Sequence, residues 1–96
     1  MYKFKAKVWV YPGEAAWYFI NLSKELTEQI DFEFGDLKAG FGSLPVEVRV
    51  GQTKWQTSIF PDTKKSCYML PLKASVRKAE NISADSIVAV ELSIRK

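Results

Sequence analysis

The sequence predicts an all-β fold: a small barrel of six to seven strands carrying two short helices. Two observations predict it. Apolar residues alternate with polar ones in the first strand and in a mid-chain hairpin, the period of a half-buried strand. Most connections between such segments are also too short for the helical crossovers that parallel strands need. The 96 residues fit a single domain over 1–96, long enough to bury a little over ~60% of its unfolded surface. Three Trp, four Tyr and six Phe supply large rings with which a short chain builds a core.

The elements follow in order. In "YKFKAKVWVY", Tyr2, Phe4, Ala6, Val8 and Val10 share one face, and Lys3, Lys5, Lys7 and Trp9 share the other. "YPGE" turns the chain through Pro12 and Gly13. "AAWYFINL", 15–22, reads as a second strand, rich in aromatic and β-branched side chains. A short helix is expected from about 24 to 31, with Ser23 as N-cap, Glu25 at its positive end and a stripe of Leu22, Leu26 and Ile30. "GDLKAGFGSLP" is a loop. Val46, Val48 and Val50 then point inward and Glu47 and Arg49 outward, "GQT" turns, and "KWQTSIF" returns as a hairpin. "CYMLPL" is a fifth strand. Leu72, Val76 and Ala79 form one helical stripe with Lys73, Arg77 and Glu80 beside it, and "ENISAD" ends that helix before the last strand, "SIVAVELSI".

The order of these segments resembles the bacterial DUF1905 family, whose members carry a domain of unknown function. The residues that carry the resemblance are "FKAKVWVYPGEAAWYFINLSKE", "VEVRVGQTKWQTSIFPD" and "CYMLPLKASVRKAENISADSIVAVEL". It implies a double-split β-barrel, a class that includes DNA-binding regulators, and no established reaction. This chain departs at Ala84-Asp85, where the family tends to Gly-Asp. It departs again at Ser66-Cys67-Tyr68, where a glycine often precedes the tyrosine. Alanine at 84 conflicts with a left-handed turn residue there, since only glycine adopts positive φ freely.

Composition excludes several kinds of chemistry. There is no histidine, so the commonest general base and metal ligand at neutral pH is missing. With Cys67 as the one cysteine, neither an intrachain disulfide nor an ordinary zinc site can form. No phosphate-binding loop, nucleophile elbow or dinucleotide fingerprint occurs. The expectation is a non-enzymatic binding or accessory module that uses no cofactor. Alternating lysines stand where a signal peptide needs an apolar run. No stretch approaches the ~20 apolar residues of a membrane span, so the expected location is the cytoplasm, away from membranes.

Candidate binding residues are Lys73, Arg77 and Lys78, in the most basic stretch, and Trp9. Lys73 and Arg77, four apart on a helix, could grip a phosphate or carboxylate. Their plainer role is to drape stems over the barrel, or to form an ion pair, for example with Asp85. Trp9 shares the lysine face, a composition suited to single-stranded nucleic acid, whereas Trp17 and Trp55 are expected in the core. Cys67 is expected to be buried and inert. The acidic set Glu25, Glu28, Asp31, Glu33 and Asp36 is expected to be a solvated helix face. The partner is a small anionic ligand or a protein, met by a monomer or homodimer; nucleic acid is the second reading, since a net charge of +3 is mild for a DNA-binding domain. An enzyme, least favoured, needs a deep pocket joining Tyr68 with Lys73, Arg77 or a carboxylate.

Overall fold

The computed structural model describes residues 1–13, 16–38, 42–62 and 64–95. Six strands are described: β1 (Tyr2–Tyr11), β2 (Trp17–Asn21), β3 (Leu44–Val50), β4 (Thr53–Asp62), β5 (Cys67–Pro71) and β6 (Ile87–Ile94). They close into an antiparallel barrel in the order β1-β2-β5-β4-β3-β6. Some of the pairings that close it are short: β1 meets β2 over Val8–Tyr11, and β4 meets β5 over Phe60–Asp62. Helix α1 (Lys24–Phe34) follows β2, and α2 (Ala74–Ala79) follows β5. Ala15, expected to begin the second strand, and the middle of the glycine loop, 39–41, lie outside the described residues.

The barrel interior follows the alternation read from sequence. Val46, Val48 and Val50 are buried on β3, as are Val88, Val90 and Leu92 on β6 and Val8 and Ile20 on the first hairpin. Fully burying each such side chain contributes ~1.5–3 kcal/mol. Val50 pairs with Thr53, so the β3–β4 turn is the two-residue loop Gly51-Gln52. Gly51 has φ 60°, as a tight hairpin turn needs at its first central position. A Cβ there would collide with Glu80 Oε1. Glu80 is held in that place by Thr53, whose Oγ1 donates to Oε2 at 2.6 Å.

Helix α1 starts as expected: the Ser23 side chain accepts a hydrogen bond from Leu26 N at 3.1 Å. It runs three residues past the expected end, to Phe34, where the Gly35 N–H donates to Asp31 O. Helix α2 is shorter than the stripe suggested. Leu72 and Val76 are buried but Ala79 is exposed. Asn81, in the left-handed region at φ 55°, ends the helix. Ile82 N donates back to Arg77 O at 2.8 Å, the Schellman closure, and Ile82 takes the buried position instead of Ala79. Both family departures resolve without glycine. Ser66 (φ 54°) and Asp85 (φ 69°) are left-handed, whereas Ala84 is not among the positive-φ residues, so the left-handed residue of this turn is Asp85 and not the alanine.

Candidate binding site

Burial of Leu72 and Val76 lays α2 against the barrel and turns Arg77 toward Tyr18. The Arg77 Nε donates to Leu72 O at 3.1 Å, and its guanidinium carbon stands 3.8 Å from the centroid of the Tyr18 ring. Backbone and ring thus fix the fork's position. Among the described residues no carboxylate forms an ion pair with Arg77, Lys73 or Lys78. The Asp85 partner expected for this segment is taken by Lys7, at 3.8 Å, because Asp85 sits in the turn leading to β6, whose first residue pairs with Lys7. Glu80, the nearest carboxylate in sequence, is engaged with Thr53.

A cleft of about 440 Å³ opens beside this fork, lined among others by Trp17, Tyr18, Trp55, Thr57, Lys73 and Arg77. The structure therefore brings together two of the three basic candidates. Lys78 is exposed and does not line the cleft. Trp55 is buried, as expected, and forms part of the cleft wall.

Trp17 corrects the sequence reading: it is 58% exposed instead of lying in the core. Ile20 is fully buried on β2, so the alternation sends Tyr18 inward and Trp17 and Phe19 outward. The run "AAWYFI" holds no polar residue that could have revealed this phase. Trp9 does lie on the outer lysine face, half-buried. Its Nε1 donates to Asn21 Oδ1 at 2.9 Å, its ring centroid is 5.1 Å from that of Phe19, and Lys65 Nζ stands 5.1 Å from it. Phe19 and Trp17 follow with centroids 6.4 Å apart and planes 11° from parallel. A second groove of about 500 Å³ runs along this band, between Trp9, Tyr11, Trp17 and Phe19 and the Pro61 and Met69 opposite.

The sequence profile of the family described as Domain of unknown function (DUF1905) matches residues 4–92. The chain belongs to that family. No curated protein matches it. No helix among the described residues of this DUF1905 domain is long and apolar enough to cross a membrane.

A second tyrosine–cation pair in this family member contrasts with the cleft. Tyr68 is 1% exposed, its hydroxyl donates to Asp31 Oδ1, and Lys38 Nζ pairs with the same carboxylate at 3.0 Å. Burial, then the hydrogen bond to Asp31, pushes the phenol up to about 12. Tyr68 does not line the cleft that holds Lys73 and Arg77. Asp31 accordingly leaves the purely solvated role expected of the acidic face and becomes a buried tyrosine's acceptor. Cys67 is buried, and burial, followed by Asp62, pushes its thiol up, which lowers its thiolate fraction and reactivity. Among the described residues no group of three or more acidic or cysteine side chains is placed to hold a metal ion.

Proposed function

We propose that this domain is a non-catalytic, cytoplasmic binding module. It takes an anionic group in the cleft between Trp17, Trp55 and the Lys73–Arg77 pair. One observation carries the reading: two cations without a carboxylate partner among the described residues line an aromatic-walled cleft, and one of them is already fixed on a ring. Immobilising the fork before the ligand arrives reduces the ordering cost of binding. A guanidinium offers two parallel donors to a phosphate or carboxylate. Support for a non-enzymatic role comes from where the perturbed groups lie. Tyr68 and Cys67 are both driven toward their protonated forms, and both lie outside the cleft lining.

Phenyl phosphate, which joins a ring to an anion, is the probe that tests this. Titrated into isotope-labelled protein, it should move the amide signals of Trp17, Lys73 and Arg77 before those of α1. Arg77→Ala should weaken it about tenfold, the equivalent of ~1.4 kcal/mol. Shifts confined to residues outside the cleft, or none at millimolar probe, would refute the proposal.

A further inference from the structure

We infer that the cleft is one end of a longer track for single-stranded nucleic acid, running along Trp9, Phe19 and Trp17 on the outer face of β1 and β2. The inference rests on the reading of the cleft as an anion site and names the class of anion. Trp17 lines both the cleft and the outer groove, so the two concavities adjoin across a single indole. The three rings succeed one another at 5.1 and 6.4 Å. Trp9 and Phe19 are register partners on neighbouring strands, and Trp17 is two residues from Phe19. Every base has a π-face, so such a row stacks bases without reading sequence.

Charge selects the occupant. Lys65 stands over Trp9 at one end, Lys64 lines the middle groove, and Lys73 and Arg77 line the far end. The carboxylate in the groove, Asp62, is already an acceptor for Lys64 N at 3.0 Å. Rings in a row with cations beside them match a strand that carries bases on one side and phosphates on the other. A duplex hides its base faces within its own stack, so it can meet only the cations. A second copy of the chain would bring the same cations against these.

Fluorescence anisotropy of an end-labelled oligothymidylate a dozen residues long, against a duplex of equal length at low ionic strength, tests this. The single strand should bind at least about tenfold more tightly. For about three phosphates engaged, the logarithm of its affinity should fall with the logarithm of salt at a slope of about −2. Trp17→Ala, a change at an exposed side chain that leaves the barrel core intact, should cost roughly tenfold or more, and Lys64→Ala should flatten the salt slope. Equal binding of duplex and single strand, or an unchanged affinity in Trp17→Ala, overturns the inference. So does a dimer in sedimentation that Trp17→Ala dissociates while no oligonucleotide binds, which would give the band to a second copy. Phenyl phosphate then separates the two failures. If it still occupies the cleft while the oligonucleotide does not bind, the single-strand track falls and the anion site stands; if neither binds, both fall.

Discussion

Two tyrosines each meet a cation, Tyr68 from the segment that follows α1 and Tyr18 from α2, and only one of the pairs is closed. Beyond the end of α1, Lys38 Nζ lies 5.7 Å from the Tyr68 ring, but Asp31 of α1 takes both the ammonium and the phenol hydroxyl, and the tyrosine is sealed at 1% exposure. At α2, Arg77 lies 3.8 Å from the half-buried Tyr18 ring with no carboxylate partner among the described residues, beside an open cleft. A cation beside a tyrosine therefore does different work according to whether a third group completes the pair. A carboxylate turns the pair into scaffold. Without one, the cation's attraction for an anion is left for a ligand.

The largest expected effect breaks the closed pair. Tyr68→Ala should cost ~3–5 kcal/mol in a urea-unfolding series, as removal of a fully buried ring does, a large part of the 5–15 kcal/mol typical of whole domains. Tyr18→Ala, at a half-buried ring, should cost about 1–2 kcal/mol and act mainly on phenyl phosphate affinity. Equal stability losses would show that both tyrosines are scaffold and erase the contrast.

Alkaline titration gives the next effect. The Tyr68 phenol, raised to about 12 in the folded protein, ionises near 10 when the chain unfolds. Below pH 10 both states hold the proton and nothing is lost. Between 10 and 12 the unfolded state releases a proton that the folded state keeps, so stability falls as pH rises. The loss should be on the order of 2 kcal/mol by pH 12. Tyr68→Phe should flatten that part of the unfolding curve, and Tyr18→Phe should leave it as it is. An identical alkaline slope in wild type and Tyr68→Phe would mean that burial and the Asp31 bond do not raise the Tyr68 phenol in the folded protein.

The closed pair and the open one differ also in how far the sequence discloses them. Ser23 as a cap, the inward valines of β3, the Gly51 turn and the outward lysines of β1 are legible because each depends on neighbours within a few residues. The convergence of Asp31, Lys38 and Tyr68 is not. Asp31 and Tyr68 are 37 positions apart, and nothing local distinguishes Asp31 from the other carboxylates of α1. Trp17 was hidden for a different reason. Its strand is apolar on both faces because one face meets the core and the other forms the aromatic band, so alternation carries no phase. For the basic segment, Lys73 and Arg77 do line one cleft, although Lys73 is the extended N-cap of α2 and lies outside the helical stripe; the place of Glu80 depends on Thr53, 27 positions away, and Asp85 pairs with Lys7 of β1. An unbroken run of apolar residues on a barrel strand is thus the one local sign that both of its faces have work to do.

Exchanging the cations separates the sites more finely. Arg77→Ala should lower phenyl phosphate affinity about tenfold and stability by only ~1 kcal/mol, through the bond to Leu72 O and the contact with Tyr18. Arg77→Lys should recover little of the affinity, because an ammonium offers neither the fork nor the flat face. Lys38→Ala should leave affinity unchanged and cost ~0–1 kcal/mol, as expected of a solvent-facing ion pair. A loss of affinity in Lys38→Ala comparable with that in Arg77→Ala would mean that the probe responds to overall charge and not to the cleft.

The smallest effect decides whether the basic stretch acts as a site or as a patch. Lys78 is exposed, outside the cleft, and in the last turn of α2 with Arg77, where its charge favours the helix's negative end by a few tenths of a kcal/mol. Lys78→Ala should therefore change stability by no more than ~0.5 kcal/mol and affinity by less than about twofold, a limit set by screening between solvent-exposed charges. Lys73→Ala, which removes a lining residue of equal charge, should cost several times more affinity, on the order of 1 kcal/mol. The two variants lose the same charge from neighbouring turns, so position alone separates them. Equal losses in isothermal titration would mean that the anion senses a diffuse positive face, and the fixed geometry of Arg77 over Tyr18 would then have no part in recognition.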